Sequence, residues 1–310
     1  MSRHQKIPQK SFLSLLLAGV LIAHSSNVFA AMSSTNYQIN WDELSSGGGV
    51  GSSASYQIRD SAGGSGEGSR ASSTNYSLDQ GFRAGIYDPV VDFVSYIQDR
   101  STQVAATAFS SNTVTVTTAS GFTIGDWIAI IQDEGASQIS AMAHITNISG
   151  SNITVHSSYS GLTPTIDGSN DYVYRMSSNV SPSLGTLSTS LVSTSMIGWV
   201  ATADITQGFS MYMFSNGNLT DGPDTIPAVS DGSVTAGTSE YGGKSSDSTL
   251  ATSTFDTQDT AFTTDPTLVG SVPTNATQSS GFVTLKTAIS SSQVAGSYAQ
   301  TLTAIFVGDY

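Results

Sequence analysis

The 310-residue chain contains no cysteine. That removes disulfide staples, thiol nucleophiles, thiolate metal sites and lipid-modified cysteine together. Histidine is nearly as scarce, and two of the four, His4 and His24, lie in the first thirty residues. The remaining pair, His144 and His156, is too small a set for a zinc site. No Gly-x-Ser-x-Gly turn is present to expose a serine nucleophile beside either of them. Lysine and arginine total 10 against 23 aspartates and glutamates, for a formal net charge of −13. So acidic a surface repels nucleic acid and anionic lipid, and no basic stripe exists to neutralise phosphates. Helical periodicity is missing, and no apolar run reaches membrane length.

What is present begins with a leader. Arg3, Lys6 and Lys10 precede an apolar run from Phe12 to Ala23, and Val28 and Ala30 fit the small-residue positions before a cleavage site. Residues 1–30 are therefore expected to be a signal peptide, cut between Ala30 and Ala31. The mature chain would keep seven basic residues (Arg59, Arg70, Arg83, Arg100, Arg175, Lys244, Lys286) and offer few sites to proteases that cut after Lys or Arg. Its expected address is the outside of a bacterial cell.

One phrase then recurs three times: Ser33 to Ile39, Ser52 to Ile58 and Ser72 to Leu78, each centred on a tyrosine with an aliphatic residue two positions on. Tyr37 with Ile39, Tyr56 with Ile58 and Tyr76 with Leu78 carry the period-2 pattern of short strands and are the expected interaction residues. The spacers are nearly all Ser, Gly and Ala, as in Ser45 to Ser55, and read as flexible connections between those strands. Residues 31–85 thus form a strand-forming arm, and residues 86–100, weakened for helix by Pro89 and Val90-Val91, read as an extended connector.

Two β sections follow. In residues 101–178 short strands alternate with turn signals, as in Gly121 to Ile131, Ser149 to Asn152 and Asp167 to Asn170, which indicates a small barrel or sandwich. In residues 183–310, Met196 to Ala201 and Phe209 to Phe214 are apolar on both faces, and Asn216-Gly217, Asp221-Gly222-Pro223 and Asp231-Gly232 are turns. The last strand places Tyr298, Leu302, Ala304 and Phe306 on one face, with Thr301, Thr303, Ile305 and Val307 on the other. The expected fold is all-β: a β-sandwich with an additional small β-barrel or sandwich module and an extended N-terminal arm.

The Ser-Ser-x-Asn-Tyr phrases with Gly-rich spacers resemble an N-terminal module of uncharacterised secreted bacterial proteins. The stretch from Gly296 to Thr303, with terminal Tyr310, resembles the closing strands of fimbrial and spore-coat-U-like secreted domains. That resemblance implies an immunoglobulin-like sandwich and subunits joined by a donated strand. Two departures stand beside it: fimbrial subunits usually carry a disulfide, and the tripled arm lacks the bulky alternating residues of a donor strand.

The candidate chemistry is sparse. Asp133-Glu134 could serve as paired acids, but a glycosidase needs a cleft and a set carboxylate separation. Asp167, Asn170 and Asp171, and Asp221 with Asp224, cluster oxygen ligands in loops and are weak candidates for calcium, the one cofactor considered. Trp127, Trp199, Tyr172 and Tyr174 could stack on sugars, although their strand positions favour burial. No catalytic residue is assigned, and the chain is not expected to be an enzyme. The expectation is a secreted or cell-surface structural protein, an adhesin-like or fibre-forming subunit that self-associates, or joins other surface proteins, through β-strand addition. The alternative is a monomeric extracellular carbohydrate- or surface-binding module; nucleic acid and membrane insertion are excluded as partners of the mature chain.

Overall fold

The computed structural model describes the backbone of residues 47–52, 57–62, 68–72 and 77–80, and residues 91–309 in full. The leader, Tyr37, Ile39, Tyr56 and Tyr76 lie outside the described residues. The chain divides into two compact units, Met1–Asp88 and Pro89–Tyr310. Among the described residues every regular element is a strand, and no helix is long and apolar enough to cross a membrane.

In the first unit, β1 (Gly47–Ser52) pairs antiparallel with β2 (Gln57–Ala62), from Gly47 opposite Ala62 to Ser52 opposite Gln57. Then β3 (Gly68–Ser72) pairs with β4 (Ser77–Gln80), closing at Ser72 opposite Ser77. This corrects the reading of the spacers. Within the spacers, Gly47–Ser52 and Gly68–Ser72 are themselves strands, and residues 53–56 and 73–76 of the repeated phrase lie outside the described residues. Glycine lowers strand propensity but keeps both ladder groups of its backbone, and a partner in register supplies the rest. Ile58 and Leu78 do lie in strands, opposite Gly51 and Ala71.

The second unit starts with β5 (Val91–Ser110), a 20-residue strand. The expected connector over 86–100 is thus corrected: from Val91 onward it is the first half of the longest strand, because Val91, Phe93, Val94, Tyr96 and Ile97 are strong strand formers with a partner on hand. Ser111 and Asn112, both at positive φ (50° and 61°), form the two-residue hairpin turn into β6 (Thr113–Val116). There follow β7 (Trp127–Gln132), β8 (Ile139–Ser149), β9 (Asn152–Val155), β10 (Ser160–Gly161) and β11 (Tyr172–Ser177). The antiparallel pairs run β5–β6–β9–β8–β7–β11, and β11 returns to β5, so six strands close a small barrel. Register shifts in β5 at Ala106/Ala108 and in β8 at Ile145/Asn147 supply the bends that closure requires. Val114, Ile128, Ile130, Ile145, Ile153 and Val173 fill its interior.

The remaining strands are β12 (Ser193–Ala203), β13 (Phe209–Ser215), β14 (Leu219–Asp221), β15 (Asp224–Ile226), β16 (Glu240–Ser245), β17 (Thr267–Val272), β18 (Ala276–Ala288) and β19 (Leu302–Gly308). One sheet runs from the first half of β5 through β12 and β18 to β16, and the other is β17–β13–β19. Ile197, Trp199, Met211, Met213, Val269 and Val283 pack into one core cluster of this half. The fold is all-β and β-sandwich-like, as the alternation of the strands implies. The sheet does not break between residues 178 and 183, however. Strand β5 belongs to both halves, and Ala129, Ile131, Met142 and Tyr174 on the barrel pack against Met196 and Phe282 of the sandwich. That shared contact explains why β7 is buried on both faces.

Candidate functional site

The loop acids tie the chain down locally. Asp171 is buried; its Oδ2 accepts from Asp167 N and Gly168 N, both at 2.9 Å, and its Oδ1 from Asp133 N at 3.0 Å. Asp167 Oδ1 accepts from Ser169 N, and Asn170 Nδ2 donates to Glu134 O. Asp221 and Asp224 face each other across the β14–β15 hairpin, and Asp221 Oδ2 accepts from Ser297 N. The structure therefore brings Asp167, Asn170 and Asp171 together, with the two carboxylates accepting from backbone N–H groups and the Asn170 amide donating to a backbone carbonyl. Among the described residues no group of three or more His, Asp or Glu is placed to hold a metal ion.

The Asp133-Glu134 acids diverge. Asp133 sits at φ 52° with its carboxylate beside Gln132. Glu134 accepts from the Tyr174 hydroxyl at 2.8 Å and pairs with Arg100 at 3.4 Å. Burial, and then the Glu134 charge, push the Tyr174 hydroxyl far above the ordinary tyrosine range. Glu134, Tyr174 and Arg100 are thus engaged with one another, and Asp133 with Gln132 and Asp171. Trp127 packs against Tyr96 and His144, with ring centroids 6.2 Å and 5.3 Å away. Trp199 is only 3 % exposed and lies between Gly270 and Gly281. A cavity of about 200 Å³ beside it is lined by Phe209, Ser246, Asp247, Ser271 and Ser280.

Besides Leu191 and Val294 in loops, the sandwich exposes large apolar side chains along two strand edges. Strand β19 pairs with β13 alone among the described residues, which leaves one of its edges open. Phe306 turns inward to stack on Phe93 of β5 at 5.3 Å, while Ile305 and Val307 are 37 % and 40 % exposed. Before Ile97, β5 pairs with β12 and not with β11, and Val91 and Val94 on this stretch are 44 % and 37 % exposed. Strand β19 contains no charge and no proline, the features that ordinarily guard an edge from other strands.

Sequence reasoning missed one constellation. Lys286 on β18 lies 3.0 Å from Asp259 Oδ1 and 3.3 Å from Oδ2, with side chains 9 % and 6 % exposed. Lys286 Nζ also donates to Ala136 O at 2.9 Å, and Asp259 Oδ2 accepts from Val234 N at 2.9 Å. Glu240, also buried, accepts from the next backbone N–H, that of Thr235, at 2.7 Å. The register sets Gly242 opposite Lys286, so Glu240 is its diagonal neighbour on the same sheet face. No protein-family model matches the chain, and no curated protein or solved structure matches it.

Proposed function

We propose that the protein is a secreted or cell-surface structural subunit, adhesin-like or fibre-forming, whose copies associate by β-strand addition. The observation that carries this reading is the open edge of β19: seven residues long, uncharged, proline-free and carrying exposed Ile305 and Val307. Such an edge offers a row of N–H and C=O groups to an incoming strand. The hairpins β1–β2 and β3–β4 are the complementary elements, because a two-stranded hairpin is marginal in water and gains from a third strand. The leader supports export, and the scarcity of Lys and Arg suits an extracellular life among proteases.

The test uses the mature chain from Ala31, examined by light scattering and electron microscopy beside the I305K/V307K variant and a chain lacking residues 33–85. Association of the parent chain beyond a dimer, lost in both variants, is the expected result. A parent chain that stays monomeric at high concentration, or variants that assemble as well as it does, would overturn the reading.

A further inference from the structure

We propose that Lys286 and Asp259 are joined by an isopeptide bond between Nζ and Cγ, formed by the folded protein itself. The reacting groups are in contact, at 3.0 Å and 3.3 Å from nitrogen to the two carboxylate oxygens. Each is carried on rigid structure. Lys286 lies near the C-terminal end of β18, where that strand is paired on both sides, with Thr194 of β12 and Gly242 of β16 opposite it. Asp259 donates its own N–H to Gly232 O at 3.0 Å, and the next residue, Thr260, exchanges two backbone hydrogen bonds with Gly243. The apolar cluster of Val192, Val229, Val234 and Ala288 adjoins this place, through Val234 beside Asp259 and Ala288 opposite Glu240. Contact held in a fixed geometry turns a slow bimolecular condensation into an effectively unimolecular one. Conversion to a neutral amide also removes two charges that are costly to keep buried.

The hydrogen bonds match the product atom by atom. An amide retains one N–H and one carbonyl oxygen. Lys286 Nζ already donates to Ala136 O, and Asp259 Oδ2 already accepts from Val234 N. The oxygen that must leave is Oδ1, and it is the one that holds no hydrogen bond despite its 3.0 Å approach to nitrogen. In the reaction a proton passes from the ammonium to the carboxylate, giving amine and acid. The nitrogen lone pair attacks Cγ, and a second proton moves from nitrogen to the Oδ1 oxygen. The Cγ–Oδ1 bond then breaks and water leaves. Ammonium plus carboxylate becomes amide plus water, with no oxidant and no cofactor. Glu240 is the buried carboxylate diagonal to Lys286 on the same sheet face, and it is assigned the relay of that second proton by way of one water.

Intact-mass measurement of the purified mature chain tests this directly. The expected mass is that of the sequence less one water. Chymotrypsin, which cleaves after Phe262 and Phe282, should leave Asp259 and Lys286 in one branched peptide rather than two linear ones. D259N should form the same bond while losing ammonia instead of water, D259A should show the full mass, and E240Q should slow bond formation at least tenfold in freshly made protein. The full sequence mass in the parent chain, or a missing water that maps to any other pair, overturns the proposal. The readout does not depend on association, so it stands or falls separately from strand addition.

Discussion

Replacing Gly281 by alanine sets two effects of opposite sign against each other at Trp199. Gly281 stands directly opposite Trp199 in the β12–β18 ladder. A Cβ there would lie 2.4 Å from Trp199 Cζ2 and 2.7 Å from Cε2, while a Cβ on Gly270 of the facing sheet would lie 2.5 Å from the same Cζ2. Neither glycine has a positive φ. Alanine would therefore fit the backbone and gain about 0.5–1 kcal/mol over glycine in a strand interior. Against this, carbon atoms in good contact sit about 3.5–4.0 Å apart, so the indole would have to retreat by roughly 1 Å, toward Gly270. Overpacking of this kind costs about 1–3 kcal/mol. The clash wins, and the net loss is about 1–2 kcal/mol, or roughly 2–8 °C in Tm for a unit of this size. Calorimetry on G281A, W199F and the double variant separates the terms. In the W199F background the alanine should be neutral or stabilising, a coupling of about 1 kcal/mol or more. A rise in Tm for G281A alone, or additive effects in the double variant, would refute the argument that Trp199 is clamped as a core residue and is not a platform for ligands.

Two further outcomes follow from charge and topology. The folded Tyr174 hydroxyl titrates above its unfolded value, which is about 10; its contribution is fully present below that pH and is lost as pH rises toward the folded value. Stability should therefore fall above about pH 10, and Y174F should flatten that part of a plot of Tm against pH; identical slopes in the two proteins would contradict it. Limited trypsin should cut at Arg59, Arg70 or Arg83 and leave the rest to Tyr310 intact, because Arg59 and Arg70 lie in two-stranded hairpins, which are marginal in water, whereas Arg100, Arg175, Lys244 and Lys286 lie in β5, β11, β16 and β18 of the large sheet. Mass spectrometry of the resistant fragment checks this, and early cleavage after Arg100 or Arg175 would contradict it.

The features that could be read from sequence were those fixed locally. Turn chemistry placed Gly121, Gly125, Gly168 and Asn170 at positive φ just where the chain reverses. Alternation assigned the faces of the last strand, with Tyr298, Leu302 and Phe306 against the core and Ile305 and Val307 outside, although the strand itself begins at Leu302. Long-range pairing was not legible. Barrel closure depends on β11 returning to β5, from Tyr172 to Ala105, and no local pattern encodes it. The Gly-rich spacers became strands because their partners lie in register, which propensity alone does not foresee. Lys286 was missed for a related reason. Val283 to Thr287 alternates apolar and polar residues as a half-buried strand does, yet both faces are covered, and Thr284 and Lys286 are buried. A sheet covered on both sides hides its functional polar residues behind an ordinary amphipathic pattern.

The number of open edges bears on what kind of assembly strand addition would build. If β19 of one copy paired with β19 of another, the contact would be isologous and would close at a dimer, because each subunit has spent its edge. If β19 instead accepted a hairpin from residues 47–80 of a neighbour, the contact would be heterologous, and the acceptor's own hairpins would still be available to the next copy. The chain carries two described hairpins and one β19, so donors outnumber this acceptor. Repetition of the hairpin is of no use to a closed dimer, whereas in an open chain it raises the effective concentration of donors at each acceptor. On this argument the assembly formed by the mature chain should be a filament, and deletion of residues 33–85 should leave β19 able to make at most dimers.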